Sequence, residues 1–588
     1  MKKLLSPKYF LYLAVSPEGK NKIDISSNPR VDAYYLNEFN YSMIYVFQPP
    51  YPIWAAEILL RRLRIDHAIG QIISPNQLLK IAARIVKEIF PHTRLAVQKY
   101  EIHDLKLEEF NLPDIESLFW GRSLLETEIP ELFRANGIEL PWDPEDWMQY
   151  LYLQSKVQRE AAVSLDKLGL PHCRRCGEKK AIMEDDCIFC GHSRCLTCMN
   201  CQTMGIAKSC IPLYFQSYPV RHGFQITTVR PRLKFELTPP QQRASEAVVR
   251  FLESKERRFL VWAVCGAGKT EVSFGGLAKA LSGGQRVLFA IPRKDVVIEL
   301  APRLKEAFPE IAISALYGGS GERFLDVPLT IATTHQCLRF YQSFDLVILD
   351  EADAYPYQGC AMLHDAVLRA MKPGGHLVIM TATPDQNMLK QIRQNELPYV
   401  SIPARPHRKP LIVPEWVKCD LPVAVDWKSK WEPPSAIGEF LMNLKENHHP
   451  GLVFLPTIQQ IQSLGSSLVR WAEMRGVLGT ITHSKSTNRM ETKENLLKGN
   501  LQFAVTSTIY ERGITIPNLD VMVLHADNEN IFDPQTLIQI AGRTGRQGED
   551  GRVLWVSKTK SRSMDTAIQI IEEMNNEGYA LGFLDGTQ

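Results

Sequence analysis

At 588 residues the chain is too long for a single hydrophobic core, and three or four domains are expected. Its 45% hydrophobic and 23% charged residues are ordinary for a soluble globular protein. A net charge of +3 excludes a globally basic chain, so nucleic-acid binding would need local basic surface, and no apolar run reaches the ~18 residues of a membrane span.

The first segment, MKKLLSPKYFLYLAVSPEGK, places basic residues before an apolar stretch, as signal peptides do. Pro7 and Lys8 break that stretch and no small-residue cleavage site precedes Pro17-Glu18, so a strand is expected instead. Residues 1–165 carry Trp54, Trp120, Trp142 and Trp147, read as core rather than as a base-stacking platform, and no interpretable motif. Within them, LPWDPEDWMQYLYLQSKVQREAAVSL predicts a helix opening at Pro144-Glu145-Asp146 and running toward Leu165.

Eight of the twelve cysteines crowd between Cys173 and Cys210; Cys265, Cys337, Cys360 and Cys419 are scattered singly. One dense cluster in a large chain reads as a metal site in a reducing, cytosolic compartment. CxxC occurs at 173/176 and 187/190, CxxCxxC at 195/198/201, and Cys210 closes the cluster. Two knuckles ten residues apart form a zinc-ribbon pattern, because each brings two thiolates to one side of a tetrahedron. The candidate Zn2+ ligands are Cys173, Cys176, Cys187, Cys190, Cys195, Cys198, Cys201 and Cys210. Two ions would use all eight thiolates, and one ion on the first two knuckles is the conservative reading. His172 and His192 are expected as solvated neighbours.

The basic stretch VRHGFQITTVRPRLKFEL leads to apolar runs alternating with amphipathic sequence: RFLVWAV, RVLFAIP, LTIATTH, FDLVILD and HLVIMTAT. Beyond the linker IPARPHRKPLIVPEW the arrangement returns as GLVFLPT, GTITHS, QFAVTST, VMVLHA and GRVLWVS. Such alternation predicts parallel sheets covered on both faces. AVCGAGKT (263–270) fits a phosphate loop, lying between an apolar strand and the helix-like EVSFGGLAKAL, as that loop requires. Ala263, Val264, Cys265, Gly266, Ala267 and Gly268 form it, the glycines letting backbone N–H groups turn toward phosphate. Lys269 is placed to reach the β- and γ-phosphates of ATP, and Thr270 to hold Mg2+.

FDLVILDEAD (344–353) is an apolar strand ending in carboxylates. Asp350 is expected to hold Mg2+, Glu351 to polarise the attacking water and Asp353 to contact other motifs. QIAGRTGR (539–546) sets Arg543 and Arg546 three apart; forked guanidiniums there suit arginine fingers, against the alternative of a surface ion-pair face.

These segments together resemble the motif series of superfamily 2 helicases over roughly residues 235–560. LTPPQQRA (237–244) is similar to the adenine-reading Q motif, with Gln241 as reader and Gln242 less well placed. IPRKDVVIEL and TTHQ resemble motifs Ia and Ib, which grip nucleic-acid backbone, and TAT (381–383) resembles motif III, coupling hydrolysis to grip through Thr381 and Thr383. GLVFLPTIQQ and THSK resemble motif IV and its neighbour, and TSTIYERGITIP (506–517) resembles motif V, centred on Arg512 and Gly513. The implied fold is α/β: two tandem RecA-like parallel-sheet domains at 236–404 and 425–588, joined by a linker at 405–424. A zinc-binding module at 166–212 and an α+β N-terminal extension at 1–165 precede them.

Gln539-Ile540 stand where DEAD-box RNA helicases carry His-Arg, and Thr515 stands where they carry aspartate. In these respects the motifs look more like those of DNA translocases such as the primosomal helicase PriA. A cysteine module ahead of the Q motif, together with AVCGAGKTE, PARPHRKPLIVP and THSK, resembles the ComFA family of late competence proteins over roughly 170–588. That resemblance implies ATP-dependent translocation of single-stranded transforming DNA at the cytoplasmic face of the uptake channel. The implied partners are the channel protein ComEC, ComFC and DprA. Contacts by motifs Ia, Ib and V would be assisted by Arg221, Arg230, Arg232 and Lys234. A PriA-like restart helicase is the alternative within enzymes, and a catalytically silent DNA-binding scaffold the alternative outside them. The intact Lys269, Asp350, Glu351, Arg543 and Arg546 argue against the scaffold.

Overall fold

A computed structural model describes residues 8–66, 74–89, 93–105, 115–139, 143–166, 168–219, 223–224, 228–425, 431–483, 485–486, 489–508 and 516–585. Among them, strands β1 (Lys8–Val15), β2 (Asn21–Ser26), β3 (Met43–Pro52) and β4 (Ala96–Glu101) form an antiparallel sheet in the order β2-β1-β3-β4. Alternation along β1 explains its two covered faces. Tyr9, Leu11 and Leu13 meet the helices Ile53–Asp66 and Pro75–Ile89, while Tyr12 and Ala14 meet the helix Pro29–Asn37. The strand expected near the N-terminus is therefore present.

The helix expected to run from Pro144 toward Leu165 ends at Leu153. Its last turn closes with Gln154 N–H donating to Tyr150 O and Lys156 N–H to Leu151 O, around Ser155 at φ +59°. The following residues become β6 (Gln158–Ala161) and β7 (Val163–Leu165), because β-sheet partners satisfy their backbone groups. β5 (Arg122–Leu125), β6 and β11 (Pro212–Gln216) form a three-stranded sheet in the order β5-β11-β6, and β7 pairs with β8 (Pro171–Cys173). Strands from both sides of residue 165 thus share sheets, and the boundary expected there cuts through this fold. Trp147 is buried in its core, Trp54 and Trp120 are half-buried, and Trp142 lies outside the described residues. Between β8 and β11, β9 (Ile182–Asp185) and β10 (Cys195–Cys198) form an antiparallel hairpin.

The first large sheet contains β12 (Arg258–Ala263), β13 (Val287–Ile291), β14 (Ile313–Leu316), β15 (Leu329–Thr333), β16 (Phe344–Leu349), β17 (Met371–Thr381) and β18 (Tyr399–Ile402). Its order is β14-β15-β13-β16-β17-β12-β18, all parallel. The second holds β19 (Glu415–Lys418), β20 (Gly451–Phe454), β21 (Gly479–Ile481), β22 (Phe503–Thr506), β23 (Asp520–Leu524) and β24 (Val553–Ser557), in the parallel order β19-β24-β23-β20-β22-β21. Central strands such as β13 and β23 are buried along their whole length, as helices on both faces require. These are the two RecA-like domains. β14, β18 and β19 were not marked in the sequence, and β19 falls inside the stretch expected as a linker. No helix among the described residues is long and apolar enough to cross a membrane.

Candidate functional site

The phosphate-loop segment leaves the carboxyl end of β12 and enters the helix Lys269–Ser282, whose N-cap Gly268 is left-handed at φ +75°. Val264 N–H donates to Ile402 O and Ala267 N–H to Val264 O, both at 3.1 Å, so β18 and the loop itself set its curvature. Gln241 is 1% exposed and braces the loop from behind. Its Nε2 donates to Ala267 O (2.9 Å), and its Oε1 accepts from Thr238 N (2.8 Å) and Oγ1 (3.0 Å). Both ends of the amide are thus engaged within the protein, which differs from a side chain held ready for adenine. Gln242 is exposed and pairs with Glu246.

Asp350 directly follows β16, with its Oδ1 3.9 Å from Lys269 Nζ. Burial pushes the Asp350 carboxyl up to about 6 against the pull of Lys269. For Lys269 burial works toward neutrality, but the carboxylates of Asp350 and Asp353 outweigh it and hold the ammonium above its ordinary value. A buried carboxylate beside a half-buried lysine at the mouth of a phosphate loop fits Mg2+, with Thr270 half-buried in the first helical turn. Glu351 adopts φ +53°, a left-handed backbone rare for this residue, and its N–H donates to Asp350 Oδ1 (2.8 Å).

Asp353 draws three elements together. Its Oδ1 accepts from Thr381 Oγ1 (2.7 Å), and its Oδ2 accepts from Thr383 Oγ1 (3.0 Å) and from Gln539 Nε2 (3.1 Å) of the second domain. Gln539 Oε1 also accepts from the Cys265 thiol (3.2 Å). The glycine of GRTGR permits this approach: a Cβ on Gly542 would lie 2.6 Å from Cys265 Cβ. Arg543 is 3% exposed, and Arg546 Nε donates to Gly542 O (3.2 Å). Burial lowers the Arg546 guanidinium from its ordinary value, while Cys265 and Glu351 pull the other way. Gly513 and Arg512 lie outside the described residues.

Sequence reasoning missed Arg405, which sits between the phosphate loop and GRTGR at 2% exposure. One arginine between prolines carries no local signal of such a position. The basic approach also differs from expectation. Arg232 N–H donates to Ala307 O and Val229 N–H to Ser282 Oγ, so the stretch runs past the C-terminal ends of two helices. In a parallel α/β layer that end is opposite the phosphate loop. Arg230, Arg232 and Lys234 are exposed there, Lys234 pairing with Glu306; Arg221 lies outside the described residues.

The cysteines separate into two sets, Cys173/Cys176/Cys198/Cys201 and Cys187/Cys190/Cys195/Cys210, each with all sulfurs within 4.8 Å of one another. The conservative reading, one ion on the first two knuckles, does not hold, since those knuckles belong to different sets. The third CxxC is the cause: Cys195 and Cys198 bound strand β10, where residues three apart face opposite sides. The true knuckles end in left-handed glycines, Gly177 (φ +77°) and Gly191 (φ +74°), with Gly177 N–H on Cys173 O and Gly191 N–H on Cys187 O. The contacts Cys173–Cys201 and Cys187–Cys210 are 3.8 Å, and Cys176–Cys198 is 3.5 Å. Four sulfurs at ~2.3 Å from zinc stand about 3.8 Å apart, so the sets fit Zn2+. Neighbouring thiols stabilise Cys198 and Cys195 as thiolates. His172 and His192 join neither set.

Family models match at three places: Competence protein ComFA N-terminal domain at 108–215, Type III restriction enzyme, res subunit, at 234–386, and Helicase conserved C-terminal domain at 433–548. The likeness to ComFA therefore reaches back to residue 108, beyond the 170–588 expected and into the segment read as an extension of unknown role. Among solved structures, S. cerevisiae Dbp5 bound to RNA and ADP BeF3 is 17% identical with a TM-score of 0.40, covering 58% of this chain and 92% of that one. A RecG structure bound to a three-way DNA junction is 19% identical with a TM-score of 0.42, covering 60% and 49%. Neither carries an argument about substrate. Competence protein ComFA of Bacillus subtilis is 36% identical over 427 residues, 71% of this chain and 88% of that protein. Competence protein ComFA of Streptococcus pneumoniae is 33% identical over 445 residues, 74% and 98%. With that identity across nearly the full length of both relatives, and with two helicase domains behind the cysteine module, the chain belongs to the competence protein ComFA family.

Proposed function

We propose that the chain is an ATP-driven motor that translocates single-stranded DNA during uptake of transforming DNA. The observation that supports this best is Asp353, a carboxylate beside the hydrolysis residues that is hydrogen-bonded by both domains. A change in the nucleotide cleft there moves the two nucleic-acid-gripping halves together. In this reading the 263–268 loop, Lys269 and Thr270 cradle the phosphates, and Asp350 holds Mg2+, which when bound neutralises charge on the transferred phosphoryl group. Glu351 orients and polarises water, Arg543 and Arg546 stabilise charge developing on the phosphoryl oxygens, and Gly513 lines the nucleotide side. Thr381 and Thr383 relay the state of Asp353. Gln241 acts by bracing the loop that cradles the phosphates. The cysteine sets hold structural Zn2+. A cytoplasmic place at the inner membrane face, and ComEC, ComFC and DprA as partners, belong to the same proposal.

ATP turnover measured with and without single-stranded DNA tests it. Stimulation by DNA is expected, Lys269→Ala should abolish turnover, and Glu351→Gln should bind ATP yet lose ~10² or more in rate. Turnover that rises with RNA but not with single-stranded DNA would overturn the reading.

A further inference from the structure

The segment joining the two motor domains begins directly after β18 with Pro403, Ala404 and Arg405. β18 is fixed to the phosphate loop, because Ile402 O accepts from Val264 N–H. Arg405 therefore leaves a rigid part of the first domain, and its guanidinium spans to the second. Its Nε donates to Cys265 O (2.8 Å), inside the phosphate loop. Its Nη1 donates to Thr544 O (2.7 Å) and Gly545 O (2.6 Å), and its Nη2 to Gly542 O (2.9 Å). Four of its five N–H donors are spent on backbone carbonyls of two motifs.

Three of those carbonyls follow the helix Pro534–Ala541 and carry the negative end of its dipole, where a cation is favoured. Among the described residues no carboxylate forms an ion pair with Arg405. Its burial is thus offset by carbonyls, and three of these lie in the second domain. Arg543 and Arg546 occupy the same turn as the bonded carbonyls. A guanidinium that fixes residues 542, 544 and 545 relative to Cys265 also fixes the backbone from which both arginines project.

We propose that Arg405 is a positioning residue, a latch that sets the arginine-bearing turn of the second domain against the phosphate loop when the cleft is closed. The proposal rests on the hydrolysis site read above. Opening the cleft breaks the three bonds to 542, 544 and 545 and keeps the one to Cys265, so the latch travels with the first domain. Its effect falls on the transition state, through Arg543 and Arg546, rather than on nucleotide capture, which the loop and Lys269 perform from one domain.

Steady-state ATP hydrolysis by the full chain with saturating single-stranded DNA tests this. Arg405→Ala is expected to lower kcat on the order of 10²-fold while KM for ATP changes by less than roughly threefold. Arg405→Lys keeps the charge but not the fork, so kcat should stay about tenfold below that of the parent protein. This variant keeps the test meaningful where the alanine change impairs folding. Combining Arg405→Ala with Arg546→Ala should cost clearly less than the product of the two single losses, since part of the Arg405 effect runs through Arg546. Normal kcat in Arg405→Ala, full rescue by lysine, or a rise in KM at unchanged kcat would each overturn the latch. Lys269→Ala run alongside separates the two claims. Turnover surviving that change removes the hydrolysis reading itself; turnover lost there but intact in Arg405→Ala removes only the latch.

Discussion

The two cysteine sets share one chemistry and differ in what holds them. Cys173 and Cys176 enclose Arg175, whose side chain is 0% exposed and donates to Glu128 (3.0 Å). Glu128 also accepts from Arg339 of the first motor domain (2.7 Å), and Arg339 reaches on to Gln336 of the TTHQ segment. Arg369, also of that domain, donates to the carbonyls of Arg174 (2.6 Å) and Arg175 (2.5 Å). The knuckle of the other set carries Ile188 at its tip, 88% exposed, and the Lys208–Asp185 and Lys208–Thr197 contacts stay inside the module. One set is wired into the motor and the other is stapled to its own hairpin. Identical ligands therefore need not have identical consequences.

Removing metal altogether should blur this difference. Protein prepared without chelator is expected to hold two zinc ions per chain, and stripping them should open residues 173–210 to protease. Structural zinc supplies roughly 10–16 kcal/mol to isolated sites, far more than any side-chain contact here. Metal analysis finding no zinc would remove the basis of the comparison. Single substitutions should then resolve the sets. Cys176→Ala is expected to expose the segment around Arg339 and Arg369 and to weaken DNA stimulation of ATPase by about tenfold. Cys190→Ala should produce cleavage near Ile188 with stimulation within about twofold of the parent. Equal losses from both would collapse the distinction.

Glu128→Gln probes the wire without touching a ligand. It leaves Arg175 and Arg339 short of their shared carboxylate, a change that costs about 3–5 kcal/mol at buried pairs. Zinc content should be unchanged while stimulation falls; unaltered stimulation would show that the wire carries nothing. Smallest of all, Lys208→Ala should cost about 1 kcal/mol, because Asp185 is half-exposed and can be solvated. Its readout is the temperature at which the module becomes protease-sensitive, and DNA stimulation should not move.

What could be read in the sequence was chemistry carried by contiguous residues. The phosphate loop, the DEAD strand and QIAGRTGR each declare themselves in eight to ten letters, and their surrounding strands form where alternation placed them. Glu128, Arg405 and the Asp353–Gln539 bond were not legible, because each acts across distances in sequence that no local period spans. The cysteine pairing failed for a different reason. CxxC describes two geometries, a turn at 173/176 and a strand at 195/198, and only the hairpin partner β9 tells them apart. Likewise the helix from Pro144 was overextended because QREAAVSL suits a helix in isolation and is claimed by β11 and β8 in the fold.

The shared core has a consequence for how the chain is made. All eight clustered cysteines belong to one continuous apolar cluster that extends to Leu338, Phe340, Leu363 and Ala370 of the first motor domain. On the ribosome Cys210 emerges well before Ala370, and at 5–20 residues per second the delay is roughly ten to thirty seconds. During that interval the module has an apolar flank without its cover. Zinc bound early would hold it in shape until the motor arrives, so a cell short of zinc would lose this protein to aggregation during synthesis rather than to slow metal loss from the finished molecule.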